Sequence, residues 1–76
     1  MPDAASTDQI NEFSWVVLTR PVEQDGVTFY SGHVGVVMHV YPDGMAYEVE
    51  IGTRQLSVVV LTVEKDALAL WRPSDA

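Results

Sequence analysis

An all-β fold, a small five-stranded SH3-like barrel, is what this sequence predicts, and three observations predict it. Five short runs of β-branched and aromatic residues are separated by turn chemistry. Their connections come in a telling order: a long first loop, tight later turns, and the polar break Glu64-Lys65-Asp66-Ala67 before the last run. Finally, a chain of 76 residues with no cysteine needs an efficient closed core or a partner surface, because a domain this small buries only ~60% of its unfolded surface.

Residues 1–12 read as a polar, acidic arm whose one strong apolar side chain is Ile10. The domain proper spans 13–72, and 73–76 form a tail. The first strand is 13–20, Phe-Ser-Trp-Val-Val-Leu-Thr-Arg, and Pro21 ends it because proline offers no N–H to a ladder. Residues 21–32 are expected as a long loop with Asp25-Gly26 and Ser31-Gly32 turns, folded back over the barrel by Val27, Phe29 and Tyr30. The second strand is 33–41, with Gly35 marking a sharp bend or bulge. Pro42-Asp43-Gly44 is the clearest turn: proline suits the first corner, aspartate the next, and glycine the left-handed position that follows. It closes a hairpin onto a third strand, 45–51, where Tyr47, Val49 and Ile51 share one face and Glu48 and Glu50 the other. Gly52-Thr53-Arg54 turns the chain into a fourth strand, 55–63. The Val58-Val59-Val60 run argues against the alternative of an amphipathic helix over 55–68, since β-branched residues are stiff and less favoured in helices. A single 3₁₀ turn at 64–67 leads to the closing strand 68–72.

The expected core is Val17, Val34, Val37, Val40, Tyr47, Val49, Ile51, Val59, Leu61 and Leu68, with Gly32, Gly35 and Gly44 in conformations that other residues would strain. Residues 15–18 and 58–61 are apolar at both parities. A strand apolar on both faces is covered on both faces, by its own loop or arm, by a second copy, or by a different protein.

Charge narrows the function. Four Lys and Arg against eleven Asp and Glu give a formal net charge of −7. Phosphate neutralisation dominates nucleic-acid affinity and needs basic residues. Arg20, Arg54, Lys65 and Arg72 are too few and too scattered for a nucleic acid or an anionic membrane. The acidic start lacks a basic n-region and an apolar h-region, which gives the expectation of a cytoplasmic protein. An acidic domain suits a basic protein partner.

Catalytic patterns are missing. Ser14, Ser31 and Ser57 sit in no Gly-x-Ser-x-Gly elbow, and no phosphate-cradling Gly-x-x-x-x-Gly-Lys occurs. His33 and His39 would stand ~20 Å apart along a strand, too far to share one metal ion. The expectation is therefore no enzyme, no cofactor and no metal. Glu48 and Glu50, ~7 Å apart on one face, are candidate partner-binding residues. Tyr30, Tyr41 and Trp71 are candidates for an aromatic docking groove of the kind that takes proline-rich peptides, although the Ala-Leu-Tyr-Asp-Tyr segment of signalling SH3 domains is missing.

The string Ser31-Gly32-His33-Val34-Gly35-Val36-Val37-Met38-His39-Val40-Tyr41-Pro42-Asp43-Gly44, running into Ala46-Tyr47-Glu48-Val49-Glu50-Ile51, resembles a family of small bacterial proteins, domain of unknown function 4926. Its members show a Gly-x-Val-Gly-x-Val-Val segment, a turn, and a Tyr-Glu-Val-Glu segment. The first strand with Pro21, Leu61-Thr62-Val63 and Leu68 fit as well, so the likeness covers about residues 13–72. The chain departs from the family pattern in its polar arm and in Ile51, where an aromatic residue is common. The resemblance implies an SH3-like barrel of bacterial, cytoplasmic origin without an assigned activity, in a setting similar to antitoxin or immunity pairs. The resulting expectation is a protein-interaction module that neutralises a basic partner through a face including Glu48 and Glu50. The alternatives are an accessory subunit of a larger enzyme and a nucleic-acid-binding barrel of the KOW type.

Overall fold

The computed structural model describes residues 9–52 and 57–72. The chain is all-β: β1 (Trp15–Leu18), β2 (Val22–Gln24), β3 (Val27–Phe29), β4 (Val34–Val40), β5 (Ala46–Gly52), β6 (Val58–Glu64) and β7 (Leu68–Leu70), with a 3₁₀ turn at Lys65–Ala67. Five strands form one antiparallel sheet in the order β6-β5-β4-β1-β7, and β2 and β3 form a separate ribbon. The expected arm lies outside the described residues up to position 8, as do Thr53, Arg54 and the tail. From its last residues, Ile10 packs on the core.

The longest pairing, β5 with β6, runs in unbroken register from Ala46↔Glu64 to Gly52↔Val58. Period-two alternation puts Tyr47, Val49 and Ile51 opposite Val63, Leu61 and Val59. All but Val59 of these six are buried, and Val59 packs against them. Val16, Leu18, Val37, Ala67 and Leu68 complete the core.

The face of β1 is a correction. Val17 and Val34 were expected inside, but they pair with each other on the outer face and are only half-buried. Val16 and Leu18 fill the core instead. Parity could not decide this, because both sets are apolar; the pairing Val16↔Gly35 does. Val40 and Val59 are likewise half-buried, packed at the rim of the core.

Gly35 has a different role from the one expected. The register shift on β4 falls between Val37 and His39, not at Gly35. Met38 is the extra residue, and the shift turns Val40 back toward Tyr47. Gly35 has no left-handed φ, unlike Gly32 (φ 98) and Gly44 (φ 71). Its constraint is space: a Cβ there would stand 2.6 Å from the Glu50 carbonyl oxygen and 2.8 Å from Val49 Cγ1.

The turn Pro42-Asp43-Gly44 has the expected chemistry. The Gly44 N–H donates to the Tyr41 carbonyl (2.8 Å), and Asp43 Oδ1 accepts from the Met45 N–H (3.0 Å). The preceding loop differs from expectation. Asp25 (φ 54) and Gly26 (φ 81) both adopt left-handed backbone, the signature of a type I′ turn, and they close the hairpin β2–β3 inside 21–32. The flanking runs are only three residues each, too short to announce themselves by alternation.

That hairpin guards a sheet edge. The Gln24 side-chain amide donates to the Val60 carbonyl (2.9 Å) and accepts from the Thr62 N–H (3.0 Å). One amide thereby occupies the position a neighbouring strand would take along β6, which is otherwise the edge of the sheet. Arg20 adds a surface clasp, its Nη2 reaching Glu64 (3.1 Å) and Asp66 (2.9 Å). Both carboxylates are well exposed, so the clasp orients the loop more than it stabilises the fold.

Two outcomes are expected. Gly35→Ala destabilises by about 2–3 kcal/mol in urea melts, because backbone must move to admit the methyl. Gln24→Ala costs about 1–2 kcal/mol and raises self-association in light scattering, by removing two hydrogen bonds and opening the β6 edge. Gln24→Glu should not rescue it, because a carboxylate cannot donate to the Val60 carbonyl.

Candidate functional site

The outer face of the sheet is the feature that core formation leaves unexplained. Trp15 pairs with Val36, Val36 with Glu50, and Glu50 with Val60, a row crossing four adjacent strands. The next row begins with Val17↔Val34, and Val58 lies opposite Gly52. Trp15 is 52%, Val58 57% and Val60 45% exposed, so about half of each faces solvent. Trp71 extends the patch, its ring 5.9 Å from that of Trp15 and tilted by 51°. The Trp71 N–H donates to the Trp15 carbonyl, which holds the two indoles at one place (3.0 Å). Isolated exposed apolar residues are ordinary, whereas a contiguous row of them marks a contact surface.

The two candidate carboxylates sit on this face but in different surroundings. Glu50 is half-buried between Val36 and Val60. Glu48 lies between His39 and Thr62, and its Oε2 accepts hydrogen bonds from the Tyr41 hydroxyl and from Thr62 Oγ1 (2.9 Å). Glu48 thus ties the end of β4 to β6. The bond to Glu48 raises the Tyr41 phenol above its ordinary value of 10.0, chiefly because a phenolate could not donate it; partial desolvation and repulsion from the carboxylate add to the rise.

The aromatic candidates do not form one groove. Tyr41 lies just past the end of β4, its ring edge-on to His39 at 5.1 Å. Tyr30 lies before the start of β4, where its carbonyl is 2.9 Å from His33 Nδ1. Trp71 stands beyond β7 with Trp15. A shallow hollow of about 450 Å³ lies between Tyr41, Pro42, Asp43, Ala46 and Thr62. His39, expected beside Tyr47, is paired with Glu48, because the bulge shifts the register by one. Among the described residues, no group of three His, Cys, Asp or Glu side chains is placed to hold a metal ion, and no helix is long and apolar enough to cross a membrane.

Trp15 and Val60 fall in the two runs that are apolar at both parities, the signal they carry in the sequence, whereas Val36 lies in neither and only its pairing with Trp15 and Glu50 brings it into the patch. Gln24 had no such signal, since its partners lie 36 and 38 positions away. Compared with protein-family models, curated proteins and solved structures, the chain matches none.

The Tyr41–Glu48 bond carries a pH signature. A raised phenol value in the folded state means that its stabilising contribution is fully present below the ordinary value and is lost as pH rises through the raised one. Absorbance titration of the folded protein should show the Tyr41 phenol ionising above its ordinary range. Tyr41→Phe should delete that component, and Glu48→Gln should bring it back toward the ordinary value.

Proposed function

We propose that this chain is a non-catalytic protein-interaction module built as an SH3-like barrel, and that it neutralises a basic partner protein. The observation that carries the reading is the set of apolar residues Trp15, Val36 and Val60 on β1, β4 and β6, arranged around the β5 carboxylate Glu50 on a chain of net charge −7. Apolar area supplies affinity, and the acidic field favours a basic partner and speeds its encounter.

Several features support barrel closure. The strand order β6-β5-β4-β1-β7 puts the first strand inside the sheet and beside the last. A 3₁₀ turn precedes β7, and the hairpin in the long first loop bridges to β6 through Gln24. An SH3-like barrel is also what the resemblance of the Ser31-to-Ile51 string to domain of unknown function 4926 implies.

The test is co-purification from source-cell extract on immobilised wild-type protein and on the Glu48→Lys/Glu50→Lys variant, at low and high salt. One stoichiometric basic partner is expected, with recovery falling at least tenfold on charge reversal and falling with salt. Equal recovery by both proteins removes the acidic face from the account. Loss of the partner's activity on binding identifies a neutraliser; retained or increased activity assigns an accessory subunit instead.

A further inference from the structure

We infer that the docking centre is Glu50, set between Val36 and Val60 with Trp15 beyond Val36 in the same row, and that it receives a Lys or Arg side chain projecting from an apolar surface of a different protein. The inference rests on the interaction-module reading and sharpens it, because it separates two carboxylates that the sequence presents as a pair.

The separation is geometric. Glu48 is used within the fold, as the acceptor that joins Tyr41 to Thr62. Glu50 is flanked across both neighbouring strands by valine, Val36 on β4 and Val60 on β6. Trp15 continues the row on β1. Anything that covers this row removes water from around Glu50. A carboxylate left unpaired in a dry contact is strongly disfavoured, and on a chain of net charge −7 a cation from the covering surface is the partner best matched to it. Among the described residues the row itself contains no Lys or Arg.

The same argument selects against a second copy of this chain. Self-docking about a two-fold axis presents the same patch from both sides, carboxylate included, between two chains of net charge −7. Like charges drawn into a shared dry contact oppose it. A basic partner satisfies Glu50 and leaves the valines and the indole to pack. Arginine suits the site especially, because its guanidinium can meet the carboxylate through two bonds.

The test replaces Val60 with the photo-crosslinking residue benzoylphenylalanine and irradiates the folded protein in source-cell extract. Parallel preparations carry the crosslinker at Thr28 on the hairpin or at Pro42 beside the Tyr41 hollow. The proposal expects one protein captured from Val60, with the crosslinked segment apolar and containing Lys or Arg. Capture should fall at least tenfold with Glu50→Lys and severalfold with Glu50→Gln, and should persist with Glu48→Gln. The captured protein, once purified, should change the intrinsic tryptophan emission, because both tryptophans of the chain lie on this face. Capture from Thr28 or Pro42 but not Val60 overturns the inference while leaving an interaction module in place. Capture of the chain by itself, or capture indifferent to Glu50, also overturns it. No capture from any position overturns the inference and the module reading together.

Discussion

The close approach of β4 to β5 at Gly35 is the constraint on which the rest of this structure depends. A side chain there would collide with the Glu50 carbonyl and with Val49 and Ile51. Its absence lets those two side chains close over the position where Gly35 pairs with Val16. Val16 then faces the core, and alternation carries Leu18 with it. Alternation equally sends Trp15 and Val17 outward. The apolar outer face is therefore a consequence of the same contact that builds the core.

Around that contact the fold protects itself unevenly. The β6 edge is occupied by one glutamine amide from the hairpin. The chain just past β4 is tied to β5 and β6 by the Tyr41–Glu48–Thr62 bonds. These devices secure an edge and an end of the sheet. Neither covers the valine row around Glu50, where Val60 stays exposed. The bonds that secure the sheet and the face proposed for interaction thus lie on different parts of it.

Much of the fold was legible in sequence because the determining physics was local. Pro42-Asp43-Gly44 makes its own turn through a backbone bond and an aspartate bond. Tyr47-Glu48-Val49-Glu50-Ile51 alternates without ambiguity, and its apolar members are buried. Glu64-Lys65-Asp66-Ala67 contains the 3₁₀ turn, though Glu64 belongs to β6 and Ala67 to the core. The hairpin at Asp25-Gly26 was half legible: its turn was read, but its arms were too short to show a period.

The β class, the Asp25-Gly26 and Pro42-Asp43-Gly44 turns, the inward face of β5 and the acidic balance are written locally in the chain. These follow from side-chain shape, backbone preference and charge, which each residue carries wherever it is placed. Tertiary structure decided which parity of β1 faces inward, where the β4 bulge falls, that Gln24 meets β6, and that Glu48 and Glu50 have different neighbours. Each of those depends on pairing between segments distant along the chain. A run of valines looks the same from both sides until a neighbouring strand, and here the one missing side chain at Gly35, makes the two sides different.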